Sequence, residues 1–185
     1  LSFGNHESMI KLLHMIGERQ GLGDILADGT KVAAEKIGKG SEKYAMHIKG
    51  LELPAYDVRG AKAHGLSLAT AFTGADHNKG YAFQEIFGIP IPYAVDRFAI
   101  EGKGKLTKWN QDARTALADS PTMCVFLMDM AVAGFMFQNT ADLMEGATGL
   151  VYTPEEVHQV GERINNVARA FNIAAGFTRA DDDLP

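Results

Sequence analysis

The sequence predicts an all-α, multihelical domain with one short strand or extended segment near Met46 to Leu53. Three observations predict it. Apolar residues recur at three- and four-residue steps along most of the 185-residue chain. Glycines and prolines fall between these runs, where helices stop or start. Thr153-Pro154-Glu155-Glu156 spells a helix start: threonine as N-cap, proline in the first turn, and a glutamate three residues after the cap to close a capping box.

Residues 6–19 place Met9, Leu12, Leu13 and Ile16 on one helical face before Gly21 and Gly23 end the run. Asp24 caps a second helix to Ile37, which carries Ile25, Val32 and Ala33 and stops at Gly38 and Gly40. The two form a helical hairpin. Residues 44–53 read as extended, and Pro54 keeps a helix from running through them. Residues 59–72, rich in alanine and leucine, predict a buried helix, and residues 73–80 a polar loop broken by two glycines. Residues 86–92 are a proline-bearing loop leading to a helix near Tyr93, interrupted by Gly102 and Gly104. Helices over 106–118, 121–137 and 154–174 complete the chain, the second starting at Pro121 and apolar on nearly every face. No repeat or linker divides it, so residues 1–185 read as one unit.

Composition narrows the function. With 46% hydrophobic and 22% charged residues the chain is globular, and a net charge of −5 gives no positive field for a nucleic-acid backbone or an anionic membrane. Nucleic acid and membrane are not expected partners. The most apolar stretch, 121–137, is broken by Asp129 and falls short of a bilayer span. A single cysteine, Cys124, makes no internal disulfide and suits a reducing, cytoplasmic setting. The leucine at position 1 and the acidic tail after Ala180 suggest a piece of a longer chain.

The six histidines form no His-x-x-x-His pair, which disfavours a zinc hydrolase. His77 stands out within Gly74-Ala75-Asp76-His77-Asn78-Lys79-Gly80, where an acid, an imidazole and an amine share one glycine-flanked loop. Such a loop suits proton transfer, because imidazole titrates near neutral pH; a solvated polar turn is the plainer reading. Cys124 lies at a helix junction in Asp119-Ser120-Pro121-Thr122-Met123-Cys124, as a reactive thiol or a small buried hydrophobe.

Several stretches together resemble the tungsten- or molybdenum-dependent aldehyde ferredoxin oxidoreductases. They are Phe3-Gly4-Asn5-His6-Glu7, Lys36-Ile37-Gly38-Lys39-Gly40-Ser41-Glu42, the run from Lys49 through Tyr56 to Gly60, Gly74-Ala75-Asp76-His77, Asp119 to Cys124, and Gly176-Phe177-Thr178-Arg179. They span essentially the whole chain in order, and the Lys49 to Gly60 run is the most specific.

The resemblance implies the helical portion of such an enzyme, domains 2 and 3, without the N-terminal pterin-binding β domain. It implies a tungsto- or molybdo-bis-pterin and a four-iron four-sulfur cluster, with Asp119 and Lys79 on the pterin, Met123 at an apolar contact, Cys124 as the last of four cluster ligands and His77 as the acid/base. The implied reaction oxidises an aldehyde to a carboxylic acid, with ferredoxin as electron acceptor. The other three cysteines would lie upstream, so the chain alone should lack both cofactors and activity. Its implied partners are the N-terminal domain of the same enzyme, across an exposed apolar patch, and a second copy in a homodimer. Two readings from other classes stay open: a helical scaffold in which Asp119 caps a helix, and a Cys-His hydrolase.

Overall fold

Asn5 opens the first helix by accepting from the Ser8 N–H at 2.9 Å, and α1 (His6–Gly17) follows. The computed structural model describes residues 2–126 and 136–185. Where one helix is expected over 24–37 there are two, α2 (Leu22–Leu26) and α3 (Thr30–Ile37). Gly29 takes φ +89° between them. Asp28, in the turn between them, pairs with Arg19 at 2.6 Å and Lys36 at 2.5 Å. The Glu52 carboxylate then accepts from the Thr30 N–H at 2.6 Å and caps α3 from a distant part of the chain.

The expected strand is a hairpin, β1 (His47–Ile48) paired antiparallel with β2 (Leu51–Glu52). Lys49 and Gly50 turn it with φ of +52° and +85°, the two positive values a tight hairpin turn requires. Lys49, its side chain 2% exposed, donates to the Ala69 carbonyl at 2.7 Å and pairs with Asp182 at 2.7 Å, which also binds Arg169. The C-terminal tail is thereby tied to the hairpin.

Helix α4 (Lys62–Thr70) lies within the expected 59–72 and buries six of its nine residues. Its first turn has no local side-chain cap. Glu85, from the short α5 (Phe83–Ile86), supplies one, its carboxylate accepting from the Ala63 and His64 N–H groups at 2.8 and 3.1 Å. Its other oxygen pairs at 2.5 Å with Lys103, in the first turn of α6 (Lys103–Arg114). Gly102 sits left-handed just before α6, and Gly104 continues the helix instead of interrupting it.

The helix expected near Tyr93 is absent. Tertiary hydrogen bonds hold that segment irregular: Asp96 accepts from the Phe98 N–H and offers its carbonyl to Lys103, Arg97 donates to the Gly60 carbonyl, and Val95 packs beside Leu106. Helix α6 runs on into a π-helical turn, Thr115–Asp119, and Pro121 follows in the turn that ends it. Pro121 therefore closes one helix and does not start the next. Helical residues resume at Val125, and the remainder of the 121–137 helix lies largely outside the described residues.

Helices α7 (Phe137–Thr148), not expected, and α8 (Pro154–Ala174), with its capping box intact, finish the fold. Gly161 lets α8 press onto α6: a Cβ there would stand 2.1 Å from the Asp112 carbonyl oxygen and 2.9 Å from the Ala116 Cβ. Among the described residues the core forms three small clusters, around Ile48 and Leu68, around Ala63 and Leu106, and around Ala116 and Val157. The expected exposed apolar surface is present, with Met9, Ile10 and Leu13 on α1 and Val167, Phe171 and Ile173 on α8. Among the described residues no helix is long and apolar enough to cross a membrane.

Candidate functional site

Two glycines seat the polar loop over 74–80. A Cβ on Gly74 would stand 2.6 Å from the Ile48 carbonyl oxygen, and one on Gly80 2.3 Å from Ser67 Oγ and 2.7 Å from Gln111 Cγ. The loop thus lies directly on the hairpin, α4 and α6, where a side chain would push it away. Asp76 caps the 3₁₀ turn His77–Lys79 by accepting from the Asn78 N–H at 2.9 Å. His77 and Lys79 are fixed in one turn by these contacts.

Lys79 reaches across to the π-helical turn. Its Nζ lies 2.9 Å from Asp119 Oδ2 and 5.3 Å from the centre of the Phe72 ring. A π turn adds a residue to the helical repeat and shifts the side chains that follow it, a device common at functional sites. Here Asp119 is its last residue. The chain then reverses: Thr122 takes φ +55°, the Thr122 N–H bonds the Asp119 carbonyl, and the Met123 N–H donates to the Ala118 carbonyl at 2.8 Å. Met123 is half-buried, and its main-chain N–H is already used. Cys124 is exposed.

Phe126, two residues further, shares a cavity wall with His77. Residues 119–126 therefore meet the His77–Lys79 turn at both ends, through Asp119 at one and Phe126 at the other. The cavity, of about 320 Å³, is otherwise walled by Tyr56, Asn78, Tyr81, Phe83, Phe87 and Ile89. Lys79 lines a separate groove of about 330 Å³, whose other walls include Lys108, Gln111, Asn165, Arg169 and Asp182.

Apart from His77 and Tyr56, the aromatic chamber is built from residues the sequence reading did not single out. Tyr81 sits edge-on to His77 with centroids 5.9 Å apart and to His64 at 4.9 Å, and Arg114 lies over the Phe83 and Tyr81 rings at 5.0 and 5.7 Å. These contacts join α4, α5 and α6, which no local pattern connects. The signal available in sequence is Tyr56, which stands within the Lys49 to Gly60 run. The donors gathered here suit a metal–pterin centre in kind: a half-exposed carboxylate held by an ammonium on one oxygen, an imidazole on a cavity wall, and an exposed thiol. Among the described residues, no group of three His, Cys, Asp or Glu side chains is arranged to hold a metal ion.

The helical fold carrying this group of side chains belongs to a class of oxidoreductase domains. The family model described as aldehyde ferredoxin oxidoreductase, domains 2 & 3, matches residues 1–185, and the chain belongs to that family. It is 40% identical over 186 residues to the tungsten-containing aldehyde ferredoxin oxidoreductase of Pyrococcus furiosus, covering 99% of this chain and 29% of that protein. The protein of the same description from Thermococcus kodakarensis is 37% identical, covering 98% and 29%. The aliphatic sulfonate oxidoreductase, WOR-like subunit, of Pyrococcus furiosus is 29% identical over 197 residues, covering 100% and 27%. This chain thus spans under a third of the length of these relatives. Among solved structures, the active site complex BamBC of benzoyl coenzyme A reductase superposes with a TM-score of 0.71 at 23% identity, covering 100% of this chain and 33% of that one, a likeness of fold.

Proposed function

We propose that this chain is the helical, cofactor-facing part of an enzyme that oxidises aldehydes to carboxylic acids. Its cofactors would be a tungsten or molybdenum bis-pterin and a four-iron four-sulfur cluster, with ferredoxin as electron acceptor and a cytoplasmic setting. The observation that carries the reading is the Lys79–Asp119 ion pair, which brings the His77 turn against the segment bearing Cys124. Tungsten in the descriptions of the Pyrococcus and Thermococcus relatives favours that metal.

Asp119 would accept from pterin N–H groups through the oxygen that Lys79 leaves open, while Lys79 neutralises the carboxylate and donates to the ring system. Met123 would supply apolar contact through its side chain. Cys124 would be one of four thiolates, the other three coming from outside this chain. When bound, the metal–pterin centre and the cluster supply the two-electron and electron-transfer chemistry. Overall, an aldehyde and water give a carboxylic acid, two protons and two electrons. His77, on the wall of the aromatic cavity, would accept a proton at an imidazole nitrogen and release it to solvent. The aromatic walls would hold the substrate and limit water. The uncovered residues of α1 and α8 are where the rest of the enzyme, or a second copy, would pack.

The test is elemental and pterin analysis of the purified complete enzyme, with aldehyde-dependent reduction of ferredoxin. Tungsten or molybdenum, pterin and iron together with that activity are expected. A complete enzyme that holds none of them and reduces nothing would leave a helical scaffold. The chain separated from the other ligands should show no aldehyde oxidation, because one thiolate does not hold a four-iron cluster.

A further inference from the structure

One hydrogen bond at the centre of the molecule involves none of the residues assigned above to the cofactors. Tyr56 Oη lies 2.6 Å from His64 Nε2, with the two rings stacked 5.4 Å apart. His64 is 1% exposed on α4, while Tyr56 is 45% exposed and walls the aromatic cavity with His77. A buried group thus holds a group that faces the cavity.

The direction of that bond follows from the neighbours of His64. Burial, together with the like charges of His77 and Arg114 and against the opposing pull of Glu85, holds the His64 imidazole down to about 4, so it is neutral and carries one N–H. If the proton were on Nδ1, Nε2 would accept from Tyr56; if on Nε2, it would donate to the Tyr56 oxygen. Among the described residues Nδ1 has no hydrogen-bond partner. An orphaned buried N–H is rarer than an orphaned acceptor, and the edge-on Tyr81 ring is a weaker partner for an N–H than an oxygen. The proton therefore belongs on Nε2. With His64 donating to its oxygen, the Tyr56 O–H must point elsewhere, and the open side of Tyr56 is the cavity.

We propose that His64 is a positioning residue: as the Nε2–H tautomer it donates to the Tyr56 oxygen and turns the Tyr56 O–H into the cavity shared with His77, to donate to the carbonyl oxygen of a bound aldehyde. The substrate part of this rests on the function proposed above; the tautomer does not. Burial first, then Tyr81 and Asp76, push the Tyr56 phenol up to about 12, so it keeps the proton it donates. Tyr56 and His77 then divide the work, one binding the carbonyl oxygen and the other moving protons.

Nitrogen-15 NMR of the complete enzyme with labelled histidine, His64 being assigned by its loss in His64→Gln, reads the tautomer directly. A protonated Nε2 and an unprotonated Nδ1 are expected; the reverse, or a charged ring at neutral pH, overturns the proposal whatever the activity. In a second arm, Tyr56→Phe and His64→Met should each lower kcat/KM for aldehyde about 10- to 100-fold at unchanged metal, pterin and iron content. The double variant should be no worse than either single one, and His64→Gln, whose amide can donate, should recover most of the loss. Multiplying losses in the double variant, or a His64→Gln enzyme as poor as His64→Met, would overturn the positioning role. If His64→Met fails to fold, His64→Gln against Tyr56→Phe and the NMR tautomer decide. A wild-type enzyme without metal or aldehyde activity would sink the proposed reaction and leave the tautomer result standing by itself.

Discussion

Helices α1 and α4 differ in how much of themselves they bury. Helix α1 carries a clear apolar stripe yet buries no residue, whereas α4 (Lys62–Thr70), in which alanine, glycine, serine and histidine flank the core residue Leu68, buries six of nine. Small residues let α4 be approached from several sides, so it becomes the centre on which the hairpin, the 74–80 loop and α6 are laid. The stripe of α1 is covered only in part, where Gly23 of α2 seats against the Met15 backbone, and Met9 and Leu13 stay exposed. Around α4 the interior holds polar pairs, Glu85 with Lys103 and the buried His64 with Tyr56, while the N-terminal region is laced by exposed pairs such as Arg19–Asp28.

The comparison is broken most directly at its centre. Glu85→Ala removes the cap of α4 and leaves the Lys103 ammonium buried without its carboxylate, and should cost about 3–5 kcal/mol of stability by denaturant unfolding of the complete enzyme. A cost below about 1 kcal/mol would mean that the centre is not built on this pair.

A second, smaller effect concerns pH. The folded His64 titrates at about 4 against an ordinary 6.5, so between those values the unfolded chain binds a proton that the folded one refuses. Stability is complete above pH 6.5 and falls as pH drops towards 4, by on the order of 3 kcal/mol. In the exposed region Asp28, held down to about 2 by Arg19 and Lys36, loses its contribution only as pH falls from 3.8 towards 2. Unfolding midpoints at pH 7 and pH 4.5 should therefore separate more in the wild type than in His64→Gln. Equal separations would contradict the buried neutral imidazole.

The smallest effect belongs to α1. Leu13 is 64% exposed, so Leu13→Ala should change the stability of the chain by itself by less than about 0.5 kcal/mol. If the rest of the enzyme covers the stripe, the same change in the complete enzyme should cost about 2 kcal/mol or more. Unfolding of both forms checks this, and equal costs would remove the assignment of α1 as a docking face.

Local chemistry was legible in the sequence. The Thr153 capping box yields α8 over the expected residues, the hairpin forms at Met46 to Leu53, and the loop around His77 declares itself by its glycines and charges. What sequence reading missed is decided by distant partners. The break at Gly29 depends on Glu52 capping α3, the non-helical segment at Tyr93 on Arg97 and Lys103, and the aromatic cavity on rings from three separate stretches. Asp119, Lys79, His77, Met123 and Cys124 are named by the motif resemblance, and Tyr56 stands within one of its runs; His64 and Arg114 leave no local pattern, because burial and ring contact alone bring them to the cavity.

The central claim, that this surface holds a cluster ligand and a proton-transfer group side by side, is tested most directly by the iron content of two variants of the complete enzyme. Cys124→Ala should lose iron, as a thiolate ligand would. His77→Ala should keep wild-type iron while its aldehyde turnover falls by about 10²- to 10⁴-fold. A Cys124→Ala enzyme with full iron content and a normal rate would contradict the account.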